Sequence, residues 1–220
     1  MQAIREFCKT HRHMWWGLFL PAYLIVFFTI EHLITDNYWA TQTALDDLIP
    51  FCEWFIFPYV TWSPLLAVVG LYLLLKEPEG FRRYIWFLML TFFTATVFCV
   101  LVPNGQDLRP ALTGSENIAA WLVAYTYSID TCTNVFPSVH VLGAMGALAA
   151  IWNADGLRKP AIRWGSTLYG LVIIASTVLV KQHAIIDVFA GIGVGLIAYF
   201  FVYIVIGGRR DRLMGVKRRG

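Results

Sequence analysis

Two short stretches of this sequence combine residues that can do chemistry. The first is Asn-Val-Phe-Pro-Ser-Val-His, from Asn134 to His140, and the second is Lys-Gln-His-Ala-Ile-Ile-Asp, from Lys181 to Asp187. Each stands where a long apolar run meets a polar edge. Ionisable groups at the rim of apolar helices are costly, so they are functional candidates by default. Together, the imidazoles, the hydroxyl, the carboxylate and the cation predict a phosphate site.

The second stretch predicts a nucleophile and the group that orients it. His183 and Asp187 are four residues apart at the predicted start of a helix, so they should share one helix face. A carboxylate that accepts a hydrogen bond from one imidazole nitrogen fixes the tautomer and leaves the other nitrogen free to attack. A purely structural hydrogen bond at a helix start would give the same spacing.

The first stretch predicts an anion site at a helix N-terminus. Pro137 suits the first turn of a helix, because the N–H that it lacks would have no partner there. The free backbone N–H groups around Ser138 and Val139, together with the Ser138 hydroxyl, would form a cradle for an anion. His140, one turn into the helix, would be placed to give a proton to a departing oxygen.

The composition indicates which elements must position these residues. The chain is 58% hydrophobic and only 14% charged, with a mean hydropathy of +0.62, which is far more apolar than a soluble domain needs to be. A membrane span needs roughly 20 apolar residues. Six windows qualify, at about 14–34, 57–75, 84–102, 139–153, 164–181 and 186–206. We therefore predict an all-α polytopic membrane protein with six transmembrane helices, forming a single integral-membrane domain over residues 1–220.

The basic residues predict the orientation of these spans. With six spans, all but two of the 17 Lys and Arg residues fall on one side of the membrane. The positive-inside rule then makes both termini cytoplasmic and points the site at the periplasm or exterior of a bacterial plasma membrane. Arg109 and Lys181 remain outside, and binding an anion is the simplest reason for that. Because the charges cluster at the ends of apolar windows, nucleic acid is not an expected partner.

Two outer segments predict short helices at the membrane surface. Residues 35–56 carry a loose helical pattern that Pro50 interrupts, which a broken interfacial helix and a plain connector explain equally well, and residues 118–127 carry a clearer one. Cys52 and Cys132 both fall on this outer side, where a disulfide or two free thiols are equally compatible with the sequence. The four cysteines show no metal-binding spacing.

Two further patterns have competing interpretations. Gly191-Ile-Gly-Val-Gly195 resembles a nucleotide-binding loop, but it lies inside an apolar span with no strand before it, so we interpret these glycines as helix-packing residues. Glu31, near the outer end of the first span, could line the site or simply reach the membrane rim.

Taken in order, the motifs resemble the type-2 phosphatidic acid phosphatase superfamily. Its pattern is Lys, six residues, Arg-Pro; then Pro-Ser-Gly-His; then Ser-Arg, five residues, His, three residues, Asp. The matching positions here are Arg109-Pro110, Pro137-Ser138-Val139-His140, Ser176, His183 and Asp187. Three positions depart from the pattern, with Val102 in place of the first Lys, Val139 in place of Gly and Thr177 in place of the last Arg. The resemblance covers about 102–195, and Lys-Gln-His-x-x-x-Asp is similar to the branch with inositol-phosphotransferase-like proteins.

The resemblance implies a metal-independent transfer that needs no cofactor. His183 would attack phosphorus, with Asp187 as its partner, while His140 would protonate the leaving oxygen and then activate water. The residues implied to bind the phosphate are Arg109, Ser138, Val139 and Lys181. A metal site of two histidines and one carboxylate is the chemical rival. Two cations at the same rim would repel a metal ion, so we expect no metal.

Three functions are compatible with these residues. The first is a lipid phosphate phosphatase, with isoprenyl diphosphate, phosphatidate and phosphatidylglycerophosphate as candidate substrates. The second is a lipid phosphotransferase, in which an alcohol acceptor replaces water. The third is a non-catalytic lipid-binding or transport protein, against which the intact His140, His183 and Asp187 count. All three predict the lipid bilayer and a membrane lipid phosphate as partners.

Overall fold

The computed structural model describes residues 10–33, 37–115 and 117–208, and these residues are mostly helical. The α-helices are α1 (Phe19–Leu33), α2 (Ala44–Asp47), α3 (Ile56–Val60), α4 (Trp62–Lys76), α5 (Pro78–Leu101), α6 (Ile118–Ile129), α7 (Val139–Asn153), α8 (Pro160–Leu179) and α9 (Ile185–Tyr199). Three 3-10 helices (Arg12–Leu18, Glu53–Phe55 and Asp155–Leu157) and a terminal π-helix (Phe200–Ile206) extend or join them.

Local sequence signals set several of the helix starts. Pro78 and Pro160 open α5 and α8, where the missing proline N–H needs no acceptor. The Asn117 side chain caps α6 by accepting a hydrogen bond from the Ala120 N–H at 2.9 Å. The short surface helix expected from residues 118–127 is therefore present as α6, and the segment before Pro50 contains α2.

Among the described residues, five helical stretches are long enough and apolar enough to cross a membrane. They are Arg12–Leu33, Glu53–Lys76, Pro78–Leu101, Pro160–Leu179 and Ile185–Ile206. The window predicted as the fourth span forms α7, which has only 15 residues. At about 1.5 Å per residue it is roughly 22 Å long, which is less than the ~30 Å hydrocarbon thickness of a bilayer. The predicted count of six spans is therefore not confirmed.

Helix α7 nevertheless lies at the centre of the fold and connects its two ends. It packs against α4, α5, α8 and α9. Before α7 begins, the Phe136 carbonyl accepts a hydrogen bond from the Cys99 thiol, at the C-terminal end of α5. After α7 ends, the backbone N–H groups of Asp155 and Gly156 donate to the Glu77 carboxylate, just before α5 starts. Helices α5 and α7 thus run antiparallel between the same two ends of the molecule.

Glycines on α9 allow it to lie directly against α7. A Cβ atom on Gly191 would stand 2.9 Å from the Val141 Cβ and 3.2 Å from the Ser138 carbonyl oxygen. On Gly195 it would stand 2.5 Å from the Met145 sulfur. The packing interpretation of these two glycines is confirmed, whereas a Cβ atom on Gly193 would meet nothing within 4 Å.

We expect Gly191→Ala to lower the thermal unfolding temperature in detergent, because the new methyl group meets the branched Cβ atom of Val141 and the Ser138 carbonyl oxygen, neither of which can move aside by a side-chain rotation. Overpacking of this kind costs typically about 1–3 kcal/mol. Gly193→Ala is the matched control on the same helix and should unfold within a degree or two of the parent protein. Equal unfolding temperatures for the two variants would contradict the close contact between α7 and α9.

At one end of the molecule, short pairings join three segments that are distant in sequence. Strand β1 (Trp39–Ala40) pairs in parallel with β2 (Asn104–Gly105), and Gly105 forms an antiparallel bridge with Thr133. Over residues 10–33, 37–115 and 117–208, the all-α prediction therefore holds except for this two-residue pair and the bridge. The pairings fix the chain on both sides of the stretch that leads into α7.

Two further predictions from the sequence concern the cysteines and the basic residues. Cys52, Cys99 and Cys132 are free thiols, so the alternative of a disulfide between Cys52 and Cys132 is not realised. The basic residues before Thr10, and the basic tail after Gly208, lie outside the described residues. The orientation that these charges predict is not confirmed.

Candidate active site

His183 lies in a tight turn between α8 and α9. The N–H groups of Gln182 and His183 both donate to the Thr177 carbonyl, at 3.0 and 3.1 Å, and Lys181 adopts a left-handed backbone conformation with φ of +53°. Helix α9 begins only at Ile185. His183 therefore precedes the helix, and the predicted arrangement, in which His183 and Asp187 share one helix face, is wrong.

Asp187 reaches His183 because it folds back over the start of α9. Its Oδ2 atom accepts a hydrogen bond from the Ala184 N–H at 2.8 Å and lies 3.4 Å from Nδ1 of His183. The Asp187 side chain is fully buried, while the geometry to His183 falls short of a formed hydrogen bond. Hydrogen bonds between catalytic groups are often loose without substrate and tighten when it binds. A small rotation of the imidazole would complete the hydrogen bond between His183 and Asp187.

The start of α7 is set by Ser138 rather than by Pro137. Ser138 is the N-cap, and its Oγ accepts from the Val141 N–H at 3.3 Å, while Pro137 lies before the helix. His140 is consequently in the first turn, not one turn further along as the sequence predicted. The Ser138 N–H also donates to the Asp187 carbonyl at 3.2 Å, which ties the start of α7 to the start of α9.

The structure brings the two predicted catalytic histidines together. Nε2 of His183 lies 3.3 Å from Nδ1 of His140, although the residues are 43 positions apart in the chain. The His140 ring lies between Tyr59 and Trp62, with ring centroids 4.5 and 4.6 Å away. Asp187, His183 and His140 thus lie in a row, with separations of 3.4 and 3.3 Å between neighbouring side chains.

A cavity of about 370 Å³ opens beside the histidines. Both histidines line it, and so does Val139 at the start of α7. The first N–H groups of a helix have no intrahelical acceptor, so the Val139 end of α7 can bind an anion. The other residues that line the cavity include Tyr23, Leu24, Phe27, Phe28, Tyr59, Val60, Trp62, Asp130, Asn134 and Gln182. The described residues that line this cavity include no Lys or Arg.

Arg109 is directed at the protein rather than at the cavity. Its guanidinium donates to the carbonyl oxygens of Tyr127, Asp130 and Thr131, at 3.3, 2.9 and 2.5 Å, and to the side-chain oxygen of Gln182. It also stacks 4.5 Å from the centroid of the Tyr127 ring. Burial raises the pKa of the Tyr127 phenol, so this ring stays neutral beside the cation. In this structure the guanidinium positions the loop that borders the cavity, and its predicted contact with two phosphate oxygens stays a prediction.

Lys181 is also engaged by backbone carbonyls. Its ammonium donates to the carbonyl oxygens of Asp46 at 2.8 Å and Ile49 at 2.6 Å, and only 8% of the residue is exposed. The Asp46 carboxylate accepts from the Ile185 N–H at 2.7 Å. These contacts fasten the turn after α2 to the turn that carries His183. The structure does not bring the Lys181 ammonium to the cavity, and its predicted phosphate contact stays a prediction.

We expect Lys181→Met to lower the unfolding temperature, because two buried carbonyl groups lose a charged donor. Hydrogen bonds to charged groups contribute about 1.5–3 kcal/mol each. Lys159→Met, at an exposed lysine, is the matched control and should unfold like the parent. A Lys181→Met protein of unchanged stability but several-fold weaker substrate binding would instead make Lys181 a phosphate ligand.

Several residues of the site were missed by the sequence analysis. Asp130 accepts hydrogen bonds from the Tyr59 hydroxyl and from the Gln182 amide, each at 3.0 Å. Gln182 stands inside the second motif and could have been noticed there, but no local pattern marks Asp130 or Tyr59. Glu31 does not line the cavity, and its Oε1 atom accepts from the backbone and the hydroxyl of Thr131, each at 2.8 Å.

Comparisons with known proteins assign no family. No protein-family model matches the chain, and searches of curated proteins and of solved structures found no similar chain. Within the part of the chain that the structure describes, no three His, Cys, Asp or Glu side chains are grouped so as to hold a metal ion. The function must therefore be argued from the motifs and from the geometry of the cavity.

Proposed function

We propose that this chain is an integral-membrane phosphatase that hydrolyses a lipid phosphate or diphosphate ester through a phosphohistidine. The observation that carries the proposal is the row of Asp187, His183 and His140, with separations of 3.4 and 3.3 Å, in which the two histidines line a cavity. One nitrogen of His183 faces a carboxylate and the other faces a second imidazole. A nucleophile paired with an acid–base group needs this relation.

The reaction would proceed in two steps. In the first, Nε2 of His183 forms a bond to phosphorus while the bond from phosphorus to the ester oxygen breaks, and His140 gives its proton to that oxygen. In the second, His140 takes a proton from water as the water oxygen attacks phosphorus and the N–P bond breaks. Free phosphate leaves, and both imidazoles return to their starting protonation. The two rings must part to admit the phosphoryl group between them.

Charge on the transferred group would be stabilised first by the N-terminal end of α7. Val139 and His140 are the first two residues of that helix and line the cavity. Their backbone N–H groups, which have no acceptor within the helix, would bind the phosphate oxygens. Arg109 would contribute through the field that it exerts behind the cavity wall, since its guanidinium holds Asp130, Thr131 and Gln182. In a site shielded from water such a field is screened weakly.

The membrane arrangement that fits this function has six spans, with α7 as a short central span and both termini in the cytoplasm of a bacterial cell. The histidines would then face the periplasm or exterior. Ser115 and Lys159 stand at opposite ends of the fold. Asn117, two residues after Ser115, bonds to Glu53 at the start of the span Glu53–Lys76. The loop before Lys159 meets Glu77, just after that span ends.

We expect a cysteine at position 115, in a background without other cysteines, to react in intact cells with a thiol reagent that does not cross membranes. A cysteine at position 159 should react only after the membrane has been opened. Thiol labelling with and without detergent measures both. The opposite labelling pattern would place the histidines on the cytoplasmic side.

Phosphate release by the purified protein tests the function directly. The substrates are phosphatidate, phosphatidylglycerophosphate and an isoprenyl diphosphate, with and without EDTA, and both free phosphate and new lipids are measured. We expect free phosphate from at least one of them, at a rate that EDTA leaves unchanged. A new phospholipid formed only when an alcohol is added would indicate a phosphotransferase. Activity lost in EDTA and restored by one metal would make His140, His183 and Asp187 metal ligands. No product from any lipid would overturn the proposal.

A further inference from the structure

A buried acidic side chain near the end of the first apolar stretch meets the loop that borders the cavity. Glu31 is only 1% exposed and belongs to α1, within the stretch Arg12–Leu33. An ionisable side chain inside a span is costly, so it marks a functional group whose partner must be identified. We propose that Glu31 is protonated and donates its proton to the Asp130 carboxylate, and that this carboxyl pair positions both histidines for catalysis. The positioning role rests on the proposed function, whereas the shared proton does not.

The two carboxyl oxygens of Glu31 have different surroundings. Oε1 accepts hydrogen bonds from the backbone N–H and from the hydroxyl of Thr131, each at 2.8 Å. Oε2 is buried and has no hydrogen bond to any residue that the structure describes. An ionised carboxylate can only accept, and buried polar atoms are nearly always paired, so an ionised Glu31 would leave Oε2 without a donor. A protonated Glu31 can donate from Oε2 instead.

Asp130 supplies the acceptor for this proton. Its carboxyl group interacts directly with that of Glu31. Asp130 immediately precedes Thr131, whose N–H and hydroxyl bind Glu31, so the loop brings the two carboxyl groups together. Two carboxylates side by side repel each other, and one of them then keeps its proton. The hydroxyl of Tyr23, on the same helix as Glu31, also lies close enough to interact with it.

Arg109 supplies a positive charge beside the pair. Its guanidinium donates to the carbonyl oxygens of Asp130 and Thr131 and to the side-chain oxygen of Gln182. Two carboxyl groups that hold one proton between them carry a single negative charge, which one guanidinium balances. A second buried negative charge without a partner would be costly. The balance of charge therefore also favours a protonated Glu31.

Asp130 transmits the position of this pair to both histidines. Its Oδ2 atom accepts from the Tyr59 hydroxyl and from Nε2 of Gln182, each at 3.0 Å. The Tyr59 ring stacks on His140 with centroids 4.5 Å apart, and Gln182 immediately precedes His183. If the Asp130 carboxylate turned away, both contacts would loosen. The carboxyl pair is thus a positioning element, because it acts on the histidines through Tyr59 and Gln182.

Infrared difference spectroscopy tests the shared proton without any turnover. A protonated carboxyl group has a C=O stretching band that an ionised one lacks. We expect this band in the parent protein, at neutral pH in a detergent without ester or carboxyl groups. It should be lost in Glu31→Gln and shifted or lost in Asp130→Asn. Glu53→Gln is the matched control and should leave the band unchanged, since the Glu53 carboxylate accepts from the Asn117 side chain at 3.2 Å.

Two spectroscopic results would overturn the shared proton. The first is a carboxylic acid region that is the same in the parent and in Glu31→Gln, because Glu31 would then be ionised in the parent. The second is a band that Asp130→Asn leaves unshifted, because the proton of Glu31 would then be donated elsewhere.

Two substitutions at position 31 test the positioning role. Glutamine keeps an oxygen for Thr131 and offers an N–H to Asp130, so Glu31→Gln should turn over substrate at close to the parent rate. Leucine offers neither, so Glu31→Leu should lower turnover by on the order of a hundredfold, the loss that a displacement of about 1 Å can cause. A rate for Glu31→Gln as low as that of an inactive variant, or a parental rate for Glu31→Leu, would overturn the role. Glu31→Gln decides the matter even where Glu31→Leu fails to fold.

The two measurements also separate this inference from the proposed function. A carboxylic acid band that depends on Glu31 and Asp130, in a protein that releases phosphate from no substrate, would retain the shared proton and overturn the phosphatase. Phosphate release by a parent protein without the band would retain the phosphatase and overturn the shared proton.

Discussion

The His183→Ala protein should release phosphate from no substrate, whereas the His140→Ala protein should keep part of its activity towards an activated aryl phosphate. Only His183 has a carboxylate beside one nitrogen, with Oδ2 of Asp187 3.4 Å from Nδ1. Its other nitrogen would thereby be left free to attack phosphorus. His140 would act by protonating the leaving oxygen, and an activated aryl oxide leaves without that proton.

The expected difference in activity between the two variants follows from the roles of His183 as nucleophile and His140 as general acid. Loss of a nucleophile removes the covalent path entirely, while general acid help is typically worth roughly 10²–10⁴-fold and much less with a good leaving group. The measurement compares each variant on a lipid phosphate and on the aryl phosphate. Labelled phosphate trapped on His183 in the His140→Ala protein would support the assignment. Label found on His140, or turnover of the aryl phosphate by His183→Ala, would reverse the two roles.

Asp187→Asn should reduce turnover by on the order of 10⁴, the loss seen when the carboxylate of a Ser-His-Asp triad becomes an amide. The amide cannot stabilise the positive charge that develops on His183, and it can favour the wrong tautomer. Asparagine keeps an oxygen that can accept from the Ala184 N–H, a bond of 2.8 Å in this structure. The folded state should therefore be little affected.

Asp187→Ala is the companion variant that separates chemistry from folding. It loses the acceptor at the start of α9 as well, and loss of such a cap costs about 0.5–2 kcal/mol. Both variants should be nearly inactive, but only the alanine variant should unfold at a clearly lower temperature. Activity within a factor of ten of the parent in Asp187→Asn would show that Asp187 is only a cap.

The local part of the site could be predicted from the sequence, and the shape of its turns could not. Spacing alone identified His183 with Asp187 and placed His140 near a helix start. It misplaced both helix starts by a few residues, because Ser138 and the carboxylate of Asp187 supply the caps and the helices begin where the caps allow. The error is small in sequence, but it changes which residues share a helix face.

The predicted cations show why the direction of a side chain is harder to predict than its position. Arg109 and Lys181 were chosen because they fall on the side with few basic residues. In the fold, the Arg109 guanidinium and the Lys181 ammonium both donate to backbone carbonyl groups of the loops. Buried carbonyl groups without donors are costly, so a long cationic side chain nearby satisfies them.

The sequence by itself determined that this is a helical, strongly apolar chain and which residue types stand at its polar edges. Those properties follow from composition and local periodicity, which are readable without any long-range contact. Only the tertiary structure decided that His140 meets His183 across 43 positions, and that Asp130, Asn134 and Tyr59 join them at one cavity. These long-range contacts depend on how the helices pack against one another. Small residues such as Gly191 determine that packing through contacts between helices, which cannot be predicted from the local sequence pattern.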